Sequence, residues 1–260
     1  MCLILVSFNN HSRYRLILAA NRDEFYERPT APADFWEDDL NVLAGRDLKK
    51  GGTWLGVTKQ GRIAALTNYR NPSNQKDDAP SRGHLVSDFL KGTDSDPTVY
   101  GQKLLKNVHD YNDFNLLFGR PDQVYFLSSQ SSSVEILQPG THGLSNHLLD
   151  TPWPKVRTGV KALDHVVSCC EDVSPESVFK ILTDTNRPAD EFLPDTGIGL
   201  EWERILAPIF ITSPVYGTRS STVVMIDFEN HVSFVERSYV NQDPNIFTEK
   251  TFEFTLDECC

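Results

Sequence analysis

Two apolar runs at the start of the chain constrain its fold more than any other feature. Leu3-Ile4-Leu5-Val6 and Tyr14-Arg15-Leu16-Ile17-Leu18-Ala19-Ala20 both have the composition of buried strands. The second runs straight into Asn21-Arg22-Asp23-Glu24. Polar residues that close an apolar strand are costly to bury without partners. Side chains alternate along a strand, so Asn21 and Asp23 share one face, and Arg22 and Glu24 share the other. A solvated strand end carrying an Arg22–Glu24 pair satisfies this pattern. So does a strand end at which the Asp23 carboxylate holds a group from a neighbouring first strand.

The residue that opens the first run gives the second possibility its chemistry. Cys2 directly follows Met1. Methionine is normally trimmed before a small residue, and Cys2 then carries both a thiol and an α-amine. That amine has an unperturbed pKa of about 8, which suits a general base acting on its own side chain. The plainer reading is a small buried residue at the start of a core strand, the usual place of a free cysteine.

The bulk properties agree with one soluble domain spanning 1–260. Hydrophobic residues make up 39% of the 260, enough for a sizeable core. No apolar run approaches the roughly 18 residues of a membrane span. No signal or transit pattern opens the chain, so a cytoplasmic location is expected. The net charge of −11 argues against nucleic acid and anionic membranes as partners. An anionic ligand would have to be met by local arginines, of which Arg22, Arg28, Arg46, Arg70, Arg82 and Arg219 lie near candidate motifs.

The five cysteines are Cys2 and the adjacent pairs Cys169-Cys170 and Cys259-Cys260. They form no metal framework and suit a reducing compartment. The seven histidines are scattered. No metal or cofactor is expected, although a single His or Cys suffices as an axial haem ligand.

Composition predicts a loop from Pro29 to Asp39, a short strand over 42–46 and a hairpin over 53–58 and 62–67. A polar, mobile loop is predicted over 71–80. Helices are predicted at 83–91, 97–109, 154–168, 175–183 and near 199–205. Further strands are expected at 114–118, 123–128 and 133–137. A last pair, 222–227 and 232–237, closes the chain. This pattern is mixed α and β.

The order of motifs resembles a known family. After Met-Cys and an aliphatic run comes Leu-Ile-Leu-Ala-Ala-Asn-Arg-Asp-Glu-Phe-Tyr-Glu-Arg-Pro, from Leu16 to Pro29. Then follow Gly51-Gly52-Thr53-Trp54-Leu55-Gly56, Ala65-Leu66-Thr67-Asn68-Tyr69 and Gly143-Leu144-Ser145-Asn146. Thr151-Pro152-Trp153 and Tyr216-Gly217-Thr218-Arg219-Ser220-Ser221-Thr222 complete the series. Together they resemble the transport-and-Golgi-organisation family with the Asn-Arg-Asp-Glu motif, over essentially the whole chain. That family is linked to Golgi organisation and to lipid and haem homeostasis. Its pattern is similar to the cysteine branch of the N-terminal-nucleophile (Ntn) hydrolases.

The resemblance implies an α+β fold, a four-layer α-β-β-α sandwich. It implies Cys2 as nucleophile and base, Arg22 and Asp23 setting it, and Asn68 and Asn146 donating to an oxyanion. Asn21 and Arg219 would contact substrate. A turn role for Asn68 and Asn146, and a surface role for Arg219, stand beside these. Thr67 and Ser145 are candidate supporting donors. The expected function is cleavage of a C–N amide, or a thioester, in a small-molecule or lipid-like substrate. The alternative is a non-catalytic carrier of acyl-CoA, lipid or haem, and the sequence leaves enzyme and carrier both open.

Overall fold

A computed structural model describes residues 2–92 and 96–257, with Cys2 described for its backbone alone. Contacts divide the chain into two units, each assembled from separate stretches. The first comprises Met1–Glu27, Pro139–Ser145 and Leu149–Glu253, and the second Arg28–Gln138, Asn146–Leu148 and Phe254–Cys260. The expected mixture of α and β is borne out in both.

The first unit is built on a six-stranded sheet. Its strands are β1 (Cys2–Phe8), β2 (Tyr14–Phe25), β10 (Gly140–Leu144), β11 (Tyr216–Asp227), β12 (His231–Tyr239) and β13 (Phe247–Thr255), in the order β10-β1-β2-β11-β12-β13. Alternation sends Leu3, Leu5, Ile17 and Ala19 to one face. There they pack with Val156, Leu163 and Val167 of α3 (Pro154–Cys169) and Val178, Phe179 and Leu182 of α4 (Pro175–Leu182). Each such side chain, once fully buried, contributes about 1.5–3 kcal/mol. Gly159 allows α3 to lie close, since a Cβ there would sit 2.8 Å from two Leu5 carbons. At the sheet edge the Gly143 amide donates to Asp150 Oδ1 at 2.8 Å, and the Asp150 amide donates to the Gly143 carbonyl at 2.8 Å.

The second unit carries a seven-stranded antiparallel sheet. Its strands are β3 (Thr30–Trp36), β4 (Asp39–Asp47), β5 (Leu55–Thr58), β6 (Ile63–Asn68), β7 (Phe114–Arg120), β8 (Gln123–Ser128) and β9 (Glu135–Ile136), paired in chain order. Leu85, Phe89 and Leu90 of α1 (Gly83–Lys91) and Leu104 of α2 (Pro97–Asn107) pack on Val42, Ala44, Leu66 and Phe118 of the sheet. The β5–β6 hairpin turns at Lys59-Gln60-Gly61 as expected, with Gly61 at φ 81°.

Three expectations need correction. The segment read as a loop from Pro29 to Asp39 contains β3. Its Pro32 is compatible with a strand because β3 is an edge strand that pairs only with β4. The chain does not close on the 222–227 and 232–237 pair, because β13 follows, half-buried at alternate positions Lys250, Phe252 and Phe254. The polar stretch 71–80, read as a mobile loop, is an exposed loop whose first part, 71–76, is tied down. Asn71 and Asn74 donate to the buried Asp113 carboxylate at 2.9 and 3.1 Å, and the Lys76 amide donates to Asn112 at 2.7 Å.

The Gly51-Gly52 pair has a structural purpose. The Asp47 carboxylate accepts from the Lys49 and Lys50 amides at 2.9 and 3.2 Å and from Arg28 at 2.6 Å. Burial alone would raise this carboxyl, but these bonds outweigh it and hold the group below the usual range. Gly51 then turns at φ 79°, and the Gly52 backbone lies against the start of α1. A Cβ on Gly52 would meet the Gly83 carbonyl carbon at 2.5 Å and its oxygen at 2.7 Å, backbone atoms that cannot swing aside. Gly52→Ala should therefore destabilise the protein by about 2 kcal/mol, an overpacking penalty, in chemical denaturation. A midpoint equal to wild type would refute this close approach.

Candidate active site

The polar end of β2 is buried: Asn21 is 0% exposed, Arg22 5% and Asp23 1%. Each lies on a central strand, between β1 and β11. The register pairs Cys2 with Arg22, and Arg22 in turn with Ser220 of β11. Strand β1 thus begins beside the rung of Arg22, and Asp23 is the next residue along β2. The expectation that the first two strands are neighbours holds. The Cys2 thiol and the Cys259-Cys260 pair lie outside the described residues.

Asn21 and Asp23 project to the helix-bearing face. The Asn21 amide donates to the carbonyls of Leu182 and Ile209 at 2.8 and 2.9 Å. Its oxygen accepts from the Ser221 hydroxyl, which accepts in turn from Tyr239 at 2.9 Å. Asp23 Oδ1 accepts from the Thr218 hydroxyl at 2.7 Å, and that same oxygen of Thr218 accepts from the Ile211 amide at 2.9 Å. The Tyr216 hydroxyl donates to the Asp23 carbonyl at 2.9 Å. Lys155, 4% exposed at the start of α3, donates to the Leu206 carbonyl at 3.0 Å. Backbone groups of Leu206 to Ile211 therefore meet Asn21, Lys155 and Thr218 in turn.

Burial drives the Asp23 carboxyl above its ordinary value. The Lys155 ammonium, the N-terminal ammonium of the chain, the Thr218 bond and Arg22 oppose that rise. Arg219 was expected just ahead of a strand starting near Thr222. It lies instead inside β11, at a register shift between Thr218 and Ser220. Its guanidinium donates to the Phe25 carbonyl at 3.0 Å. The Glu24 carboxylate accepts from the Phe25 amide at 2.9 Å.

Asn68 and Asn146 belong to the second unit, and the structure brings them together. Asn68 ends β6, and the Asn146 amide donates to the Asn68 carbonyl at 2.9 Å. Asn146 has two N–H donors. The Arg70 amide donates to the Asn146 carbonyl at 2.8 Å, and the Arg70 guanidinium lies 3.4 Å from Asn146 Oδ1. Thr67 accepts at 3.1 Å from Asn115, a buried residue that the sequence did not single out and that also donates to the His147 carbonyl at 2.8 Å. Other arginines considered for an anion are engaged: Arg28 with Asp47, Arg46 with Asp38 and Arg82 with the Asp113 carbonyl.

Thr218, Tyr216 and Lys155 were not identified from sequence as site residues. Thr218 and Tyr216 fell inside a recognised motif, but hydroxyls on a strand carry no directional signal. Lys155 opens an amphipathic helix, where a lysine reads as surface. Among the described residues, Asp227, Glu229 and His231 have a spacing that suits a cation. They form the exposed β11–β12 turn, in which Asp227 caps the Glu229 and His231 amides at 2.9 and 2.8 Å.

The raised Asp23 carboxyl has a thermodynamic consequence. A folded pKa above the unfolded value of about 3.9 gives stability that is complete below that value and is lost as pH rises through the folded one. Asp23→Asn removes this dependence. The Tm of Asp23→Asn minus that of wild type should therefore increase as pH rises from about 4 toward neutrality. A difference that stays constant over this range would contradict the raised carboxyl.

Comparison with known proteins places the chain. It is 39% identical to the human Transport and Golgi organization protein 2 homolog, over 98% of this chain and 99% of that protein. It is 38% identical to the Mus musculus homolog, with the same coverage. Identity to the Drosophila melanogaster protein is 30%, over 96% of each. Among solved structures, a mutant conjugated bile acid hydrolase from Clostridium perfringens superposes with a TM-score of 0.52, covering 99% of this chain and 97% of that one at 9% identity. A second variant of that hydrolase gives 0.50, covering 100% and 99%. These neighbours share the Ntn-hydrolase type of fold expected from the sequence. The family model for Transport and Golgi organisation 2 matches residues 1–241, and the chain belongs to that family.

Proposed function

We propose that this protein is a cysteine N-terminal-nucleophile hydrolase that cleaves a C–N amide, or a thioester, in a small-molecule or lipid-like substrate. The observation that carries the reading is the register of β1 on β2. It begins the first strand beside two buried charged residues, Arg22 and Asp23, at a strand end that is otherwise costly to bury. The fold likeness to a bile acid hydrolase, an enzyme named for conjugated substrates, supports the same reading.

The chemistry follows from the residue types. Loss of Met1 frees the Cys2 α-amine. That amine accepts the thiol proton as sulfur attacks the substrate carbonyl. The tetrahedral oxyanion is held by amide donors, for which Asn68 and Asn146 are the candidates. The protonated amine passes its proton to the departing nitrogen, leaving an acyl-thioester on sulfur. Water, deprotonated by the same amine, then releases the acid and restores the thiol. Arg22 and Asp23 orient the amine and Arg219 meets the substrate, whereas Asn21, expected beside the substrate, is fully buried with its amide and oxygen engaged and keeps the strand end in place. On this reading the protein acts in the cytoplasm and needs no cofactor.

The test combines mass spectrometry of the N-terminal peptide with brief alkylation near pH 7. The expected result is a chain lacking Met1 whose Cys2 labels faster than Cys169 and Cys170, the exposed free thiols of α3 and its C-terminal end. Cys2→Ala should abolish hydrolysis of an amide library while substrate binding survives. Retained Met1, or turnover unchanged in Cys2→Ala, would overturn the proposal. Stoichiometric binding of acyl-CoA or haem without consumption would assign the protein as a carrier.

A further inference from the structure

Lys155 is a buried charged group that the proposed chemistry leaves without a task. It lies in the first turn of α3, with its ammonium donating to the Leu206 carbonyl at 3.0 Å. The next residues of that segment bind the strand end: the Ile209 carbonyl accepts from Asn21, and the Ile211 amide donates to Thr218, which donates to Asp23. Lys155, Asn21 and Asp23 are thus held by one stretch of backbone on one face of the sheet. Beside Lys155 is a cavity of about 210 Å³, lined by Lys155, Thr158, Asn186, Arg187 and Ile209, with Asp184 also in its wall.

A buried carboxylate without a nearby cation is expensive and protonates instead. The charged and titratable groups around Asp23 are Lys155 from α3, the N-terminal ammonium of the chain, Arg22 on its own strand and Tyr26 just beyond the strand. Thr218, from β11, is neutral and donates a hydrogen bond. Arg22 belongs by alternation to the opposite face of β2. Lys155 reaches the Asp23 face from the helix, and it lowers the Asp23 carboxyl more than the N-terminal ammonium or Arg22 does.

We infer that Lys155 is a positioning residue of the candidate site, its ammonium balancing the Asp23 carboxylate from the helix side so that Asp23 serves as a charged acceptor for the Cys2 α-amine. This role rests on the hydrolase reading for its purpose, but the Lys155–Asp23 coupling can be measured without it.

The experiment is a ¹³C NMR titration of the Asp23 carboxyl in wild type, Lys155→Ala, Lys155→Met and Lys155→Arg. The neutral variants should move its midpoint upward by about one unit, a tenfold change in ionisation at fixed pH, whereas Lys155→Arg should leave it near the wild-type value. Lys155→Met fills the lysine volume and serves if the alanine variant does not fold. The acid limb of Cys2 alkylation should move upward by the same amount. Because the truncated side chain of Lys155→Ala opens toward the cavity, ethylammonium should restore the wild-type midpoint, and ethanol should not. An unchanged midpoint in the neutral variants, or equal rescue by ethanol, would overturn the role of Lys155. An inert wild-type Cys2 would overturn the hydrolase reading instead, and the carboxyl titration would still decide the coupling.

Discussion

The structure of the first unit depends on one unfavourable placement, a run of three polar side chains in the middle of a sheet. Asn21, Arg22 and Asp23 are as buried as the alanines before them. Such a strand end survives only when its hydrogen-bonding capacity is met from nearby. The segment Leu206 to Ile211 meets part of it, directly at Asn21 and through Thr218 at Asp23. Its carbonyls and amide reach Asn21, Lys155 and Thr218, and thereby Asp23. A stretch far along the chain thus fixes the geometry of residues near its start. The register shift at Arg219 belongs to the same arrangement, because it sets Thr218 against Asp23 while Ser220 stays opposite Arg22.

The second unit solves a different problem. Its paired asparagines are held mainly through backbone: the Asn146 side chain reaches the Asn68 carbonyl, and Arg70 returns a bond from its own amide. Asn115 extends this network from β7 to Thr67 and the His147 carbonyl. A buried asparagine thus serves in the first unit to hold a strand end, as Asn21, and in the second to tie its side chain to the backbone of Asn68, as Asn146.

Much of this was legible in the sequence, and the parts that were not have physical reasons. The β5–β6 hairpin was marked by turn residues and the helices by apolar periodicity, and both are local properties. The end of β2 announced itself because Asn21 to Asp23 follow an apolar run. Strand β3 was hidden by Pro32, which signals a loop unless the strand lies at an edge. Strand β13 was hidden because only alternate side chains, such as Phe252 and Phe254, are half-buried. Lys155 and Thr218 were illegible for another reason. Their significance comes from what folding brings beside them, and nothing in a lysine at a helix start or a threonine on a strand names a partner 51 or 195 residues away.

The small exchange between Gly143 and Asp150 bears on how this protein behaves among its own copies. Strand β10 is the last in its sheet, and an open border of amides and carbonyls is an invitation to any extended peptide. Here both polar groups of Gly143 are already answered from within the chain, and Asp150 adds a carboxylate, 2.7 Å from His142, along that border. An incoming strand would have to break two bonds and bury a charge before making its first contact. The border thus discourages edge-to-edge pairing with other copies of the chain at high concentration.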